Sequence, residues 1–117
     1  MNNYLLLFCA AVLLSSCVHA TEKMPPAPQA ELLDFAQANC LFWYFSKKGY
    51  ALDDIRAISG GMVERGTASA EQYEQVSLLV KRYSPQLKTK QALDIDLLKC
   101  FTMEHDADFL RSLAEAQ

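Results

Sequence analysis

Four cysteines (Cys9, Cys17, Cys40, Cys100) and two histidines (His19, His105) are the side chains of this 117-residue chain best suited to covalent or metal chemistry. A thiol nucleophile needs a partner base, and a structural zinc site gathers Cys and His at close spacing, as in C-x-x-C. Neither pattern surrounds Cys40 or Cys100, and His105 is the only histidine beyond residue 20. The sequence holds no G-x-S-x-G, no Gly-rich phosphate loop and no H-E-x-x-H. Its carboxylates have plainer duties. Asp53 and Asp54 fall where a helix begins, at the positive end of its dipole. Asp94, Asp96, Glu104, Asp106 and Asp108, relieved by Lys99, read as helix starts and solvated faces, and His105 sits at a helix boundary. On this reading there is no catalytic residue, metal ligand or cofactor.

The leader decides what the cysteines do. Tyr4 to Leu14 is an apolar run of about eleven residues, too short to cross a bilayer core of ~30 Å as a helix, so residues 1–20 read as an export signal. Two cleavage points stay open. Val18-His19-Ala20 suits an ordinary signal peptidase, whereas Leu14-Ser15-Ser16-Cys17 resembles a bacterial lipobox in which Cys17 would be acylated. Cys9 leaves with the signal and Cys17 is removed or lipidated, so the exported domain keeps Cys40 and Cys100. In an oxidising compartment such a pair reads first as a disulfide, ahead of a metal site or a catalytic thiol. The loop it would close is about 60 residues, for which chain entropy predicts roughly 4 kcal/mol of stabilisation.

Behind the leader, Thr21 to Gln29 carries Pro25, Pro26 and Pro28 and reads as an extended tether, assigned to residues 21–30. Residues 31–117 suffice for one small domain. With 11 basic and 14 acidic residues the chain carries −3, too acidic for an electrostatic nucleic-acid binder. Helical periodicity runs throughout, and no segment alternates at strand period. The fold class expected is all-α, a compact bundle of about five helices with one internal disulfide. Helices are expected over Glu31 to Lys48, closed by Gly49; Leu52 to Arg65, closed by Gly66; Ser69 to Tyr83, started by a Ser69–Gln72 capping box; Ala92 to Glu104; and from Asp106 onward. The expected core faces are Leu33, Ala36, Cys40 and Trp43 or Tyr44; Leu52, Ile55, Ile58 and Met62; Tyr73, Val76, Val80 and Tyr83; Leu93, Leu97, Cys100 and Phe101; and Phe109, Leu110 and Leu113. Ser59, Gly60 and Gly61 suggest a close helix crossing or a kink. Leu41 to Phe45 is apolar on every side of its helix, which makes that end either central to the core or a surface for another protein.

From Gln75 to Leu93 there is no acid, while Lys81, Arg82, Lys88 and Lys90 are all basic. This segment is either a solvated helix end and loop or a docking surface for an acidic groove.

With these residues in place, the domain resembles the immunity proteins that protect bacteria against type VI secreted peptidoglycan amidases of the fourth family. The resemblance spans about Leu32 to Ala114. It is carried by Asn39-Cys40-Leu41 followed by an aromatic and a Lys-Gly break, the small-residue stretch Ala57 to Gly61, Tyr73-Glu74, and Leu98-Lys99-Cys100-Phe101 leading to Glu104-His105 and a Phe-Leu pair. It implies a periplasmic inhibitor without enzyme activity, often a homodimer, whose partner is a Cys-His amidase that cleaves the D-glutamyl to diaminopimelate bond. In that family a protruding loop enters the substrate groove while a helix of the dimer touches the enzyme surface. The matching loop here is Ser84, Pro85, Gln86, Leu87, Lys88, Thr89 and Lys90, with the third helix beside it. The lipobox-like Cys17 departs from plain soluble export, and a membrane would be reached only through a lipid there. A small structural or assembly lipoprotein of the envelope is the rival function, and a cysteine enzyme using Cys40 or Cys100 would require a free thiol.

Overall fold

The structure is a computed structural model and describes residues 29–116. The expected leader, Cys17 and most of the tether lie outside the described residues. Five α-helices follow in order: α1 Gln29–Lys48, α2 Asp53–Arg65, α3 Ala70–Arg82, α4 Ile95–Thr102 and α5 Ala107–Glu115, with a 3-10 turn over Met103–His105 between the last two. The described residues contain no strand. The expected all-α bundle is present, and α1 opens at Gln29, within the expected tether.

Each helix end has a local cause. Gly49 takes φ +72°, its N–H bonds the Ser46 carbonyl at 3.2 Å, and Tyr50 N–H bonds the Phe45 carbonyl at 3.0 Å. That pattern is a Schellman close, which satisfies carbonyls the helix leaves open. Ser69 and Gln72 form the expected capping box at the start of α3. Asp94 caps α4 through Asp96 and Leu97 N–H, and Asp106 caps α5 through Asp108 and Phe109 N–H.

The long α1 is the axis of the bundle. It packs against α2, α3, α4, the 3-10 turn and α5. Leu32, Phe35, Ala36 and Cys40 of α1 meet Tyr73, Val76 and Val80 of α3, Cys100 and Met103, and Phe109 and Leu113 of α5. Phe35 and Tyr73 meet edge-on at 4.8 Å, as do Tyr83 and Phe109 at 4.9 Å. The Sγ atoms of Cys40 and Cys100 are at bonding distance with Cα atoms 5.5 Å apart, so the disulfide pins α4 to α1.

Several core expectations fail, each for a visible reason. Ile58 is 50% exposed, because only the edge of α2 carrying Ile55 and Met62 faces the bundle. Leu93 is 49% exposed because α4 begins at Ile95, leaving Leu93 in the loop rather than in a first helical turn. Phe101 is 48% exposed, since Cys100 next to it is the residue turned inward by its bond to α1. Trp43 is 46% exposed while Tyr44 is half-buried. The expected crossing at Gly60 and Gly61 is absent: a Cβ at Gly60 would meet nothing, and one at Gly61 only the Arg65 side chain. The glycine that does permit a close approach is Gly66. A Cβ there would fall onto the Tyr73 hydroxyl and the Glu31 carboxylate, and 2.8 Å from the Met62 carbonyl.

Beside Gly66 lies the bundle's densest polar junction. The Glu31 carboxylate accepts from Tyr73 Oη at 2.6 Å, Thr67 N–H and Thr67 Oγ1 at 2.8 Å, and Ala68 N–H at 3.0 Å. One carboxylate at the start of α1 thus gathers the α2–α3 connection and α3. The Tyr73 hydroxyl and then the Ala68 amide hold the Glu31 pKa at about 2 instead of 4.5, and burial, with Glu31 beside it, pushes Tyr73 up to about 12. Because the folded-state value is depressed, the stability it lends is complete above pH 4.5 and disappears as pH falls from there toward 2. Glu31→Gln is expected to flatten this acid limb and to cost about 2–3 kcal/mol at neutral pH. Thermal melting against pH tests it, and an unchanged acid limb in the variant would refute the assignment.

Candidate partner-binding site

Between α3 and α4 the chain runs without regular structure from Tyr83 to Asp94. Both ends of this loop are tied down. At the first, the Tyr83 hydroxyl donates to Asp106 Oδ2 at 2.9 Å and lies 3.2 Å from Thr102 Oγ1. Burial raises the Tyr83 pKa, while the Phe109 amide and the Tyr83 hydroxyl lower that of Asp106. At the second, Asp94 pairs with Lys48 Nζ at 2.7 Å and accepts from Tyr44 Oη at 3.2 Å while capping α4. The Lys48 ammonium holds the Asp94 carboxyl below the usual carboxylate range. Two different helices, α5 and α1, therefore anchor the two feet.

Between the feet the chain is open. Ser84, Gln86, Lys88, Thr89 and Lys90 are exposed, and Pro85 and Leu87 are half-buried. Thr89 Oγ1 donates to the Gln91 carbonyl at 2.6 Å, a local turn that braces the tip. Neither Lys88 nor Lys90 has a carboxylate within ion-pair distance among the described residues. All seven residues singled out from the sequence lie on this one loop.

A small cleft opens between α1, α3 and α4. Trp43, Lys47, Val80, Lys81, Asp96 and Lys99 line it, with Cys40 at its floor, and its volume is about 120 Å³. The Lys81 ammonium stands over the Trp43 ring at 5.7 Å from the centroid. Lys47 pairs with Asp96, whose pKa falls chiefly through that hydrogen bond, with the Lys47 and Lys99 charges adding to it. The sequence reading missed this grouping because Trp43 was placed on a core face and Lys99 with the acidic stretch. The spacing of Lys81 against Trp43 could not be seen before α1 and α3 were packed.

The aromatic end of α1 is only partly covered. Phe42 meets Trp43 edge-on at 5.3 Å, Phe45 meets Tyr50 at 5.8 Å, and Arg56 stands over Phe42 at 5.7 Å. α1 is central to the bundle, but none of Leu41 to Phe45 is fully buried, so its last turns present aromatic surface. His105 is 79% exposed beside Glu104. With both sulfurs bonded to each other, neither Cys40 nor Cys100 is a free thiol.

The fold and this loop define a small disulfide-pinned helical scaffold that holds one basic segment out to solvent on fixed feet. Residues 30–113 match Tai4, the type VI secretion system amidase immunity proteins, and the chain belongs to that family. No curated protein and no solved structure matches it. Among the described residues no helix is long and apolar enough to cross a membrane.

Proposed function

We propose that this chain is a periplasmic immunity protein that binds a type VI secreted Cys-His peptidoglycan amidase and blocks its substrate groove with the loop Ser84 to Lys90. The observation that carries this reading is the loop itself, exposed and basic between two feet fixed by Tyr83 and Asp94. Fixed feet lower the ordering cost of binding, and Pro85 stiffens the entry. Lys88 and Lys90, unpaired among the described residues, supply charge for steering toward an acidic groove. Export through residues 1–20 brings the domain to the compartment of the cell wall, free or held by a lipid on Cys17. The Phe45 and Tyr50 part of the aromatic end of α1 is the surface through which we propose it pairs as a homodimer, since Tyr50 packs on Phe45 and is about half exposed there.

Replacing Ser84 to Lys90 by a short Gly-Ser link tests the loop. Helix content and melting are expected to stay close to those of the parent, because the loop contributes nothing to the buried core, while inhibition of the amidase on purified peptidoglycan is lost. Lys88→Glu with Lys90→Glu is expected to slow association by about tenfold at low salt. A shortened variant that still blocks the amidase and still protects cells would move the inhibitory surface elsewhere, first to α3. A chain that binds no amidase at all would favour the envelope lipoprotein.

A further inference from the structure

We infer that the cleft between α1, α3 and α4 is a second recognition point, which takes one acidic side chain of the amidase. This rests on the proposed function above and adds the chemistry of a contact outside the loop.

Charge comes first. Three lysines, Lys47, Lys81 and Lys99, border the cleft against a single carboxylate, Asp96, and that carboxylate is already engaged by Lys47. Lys81 and Lys99 have no carboxylate within ion-pair distance among the described residues. Lysine gathers unpaired around a half-exposed tryptophan in a concave site at an electrostatic cost, and an incoming carboxylate removes it.

Size and lining then narrow the occupant. A volume of about 120 Å³ is below the ~300 Å³ at which small-ligand pockets begin. That size suits one side chain. The floor is apolar, made by Cys40 and Val80, and the Trp43 ring forms a wall. That pairing of an apolar floor with cationic rims suits a short aliphatic stem ending in a carboxylate, as in Glu or Asp, better than a bare inorganic anion.

Position identifies the occupant's source. Val80 and Lys81 lie three and two residues before the first foot, Tyr83, and Asp96 follows the second foot, Asp94, by two residues. A protein gripping the loop by its feet is within a few residues of the cleft lining. The same partner can therefore fill both.

Trp43 is the only tryptophan in the chain and lines the cleft, so its emission reports occupancy. In the first arm, the full chain is titrated at low salt with acetyl-triglutamate amide, inorganic phosphate and a purified muropeptide. A saturable change in Trp43 emission is expected with the glutamate peptide and not with phosphate, and it is expected to vanish in Lys81→Glu and Lys99→Glu. In the second arm, amidase affinity is measured for the same variants and for Lys81→Arg and Lys99→Arg, with helix content as a folding control. The Glu variants are expected to lose about 10- to 100-fold and the Arg variants to stay within a few-fold. Wild-type affinity in both Glu variants overturns the cleft and leaves the proposed function standing. If the parent chain binds no amidase, that function falls and the first arm decides: a peptide response lost in the Glu variants upholds an acidic-side-chain site, and no response overturns it. A muropeptide or phosphate that moves Trp43 emission at lower concentration than the glutamate peptide also overturns it.

Discussion

Gly66→Ala is expected to destabilise the domain by about 3–5 kcal/mol, enough to leave much of it unfolded at 37 °C. The backbone there is not the obstacle, since Gly66 has φ −75° and ψ 165°, which any residue adopts. Space is the obstacle. A single added methyl lands on the Tyr73 hydroxyl and the Glu31 carboxylate, so the variant must push α3 off α1 or break the shortest bond of the Glu31 junction. Either route leaves the Thr67 and Ala68 amides without their acceptor. A double-mutant cycle separates these costs: in a Tyr73→Phe background, which removes the hydroxyl, the alanine should cost about 1–2 kcal/mol less. Gly60→Ala is the control, because nothing lies within reach of its Cβ and a mid-helix Gly→Ala change should stabilise by about 0.5–1 kcal/mol. Urea denaturation of the four variants settles it. Equal effects at Gly60 and Gly66 would show that helix propensity, not close approach, governs both.

That contrast also marks how far the sequence could be read. Gly60 and Gly61 looked like a crossing point and Gly66 like an ordinary helix stop, because a lone sequence shows that a glycine is present but not what packs over it. The answer lies in partners beyond the local turn, Glu31 and Tyr73, which are 35 positions away in one direction and 7 in the other. Local signals were legible: the Ser69–Gln72 box, Gly49 at positive φ, and Asp106 as a cap all depend on neighbours within a turn. The tendency toward five helices was legible for the same reason.

The site divides along the same line. The loop Ser84 to Lys90 showed itself through Pro85, missing acids and clustered cations, all contiguous. Its feet did not, since Tyr83 is held from α5 and Asp94 from α1. Nor did the cleft, whose walls come from three helices. Periodicity misassigned Ile58 and Phe101 because in a bundle this small each outer helix has only a narrow buried edge and an apolar residue off that edge faces water, and it misassigned Leu93 by starting α4 three residues early.

Removing the disulfide is expected to have the other large effect, and it reaches both stability and recognition. Cys40→Ala with Cys100→Ala opens a loop of 60 residues, for which the chain-entropy model gives about 4 kcal/mol, and the melting temperature should fall by roughly 15–30 °C. Cys40 and Cys100 are 2% and 1% exposed, so reductant alone should act slowly on the folded protein and fully only after denaturation. The consequence for binding follows from position. Cys100 holds α4, whose N-cap Asp94 is one foot of the loop, and Cys40 forms the floor of the cleft. Freed from α1 at Cys100, α4 keeps its ion pairs with Lys48 and Lys47 and its hydrogen bonds from Tyr44 and Gln37, which are mostly solvent-exposed and weak. The double variant should therefore lose amidase affinity even at temperatures where it remains folded, whereas a substitution that destabilises the far side of the bundle, such as Glu31→Gln, should not. Calorimetric melting and affinity at 10 °C on both variants test this. Two reactive thiols in the unreduced, denatured parent, or parent-like affinity in the double variant, would detach the disulfide from presentation of the loop.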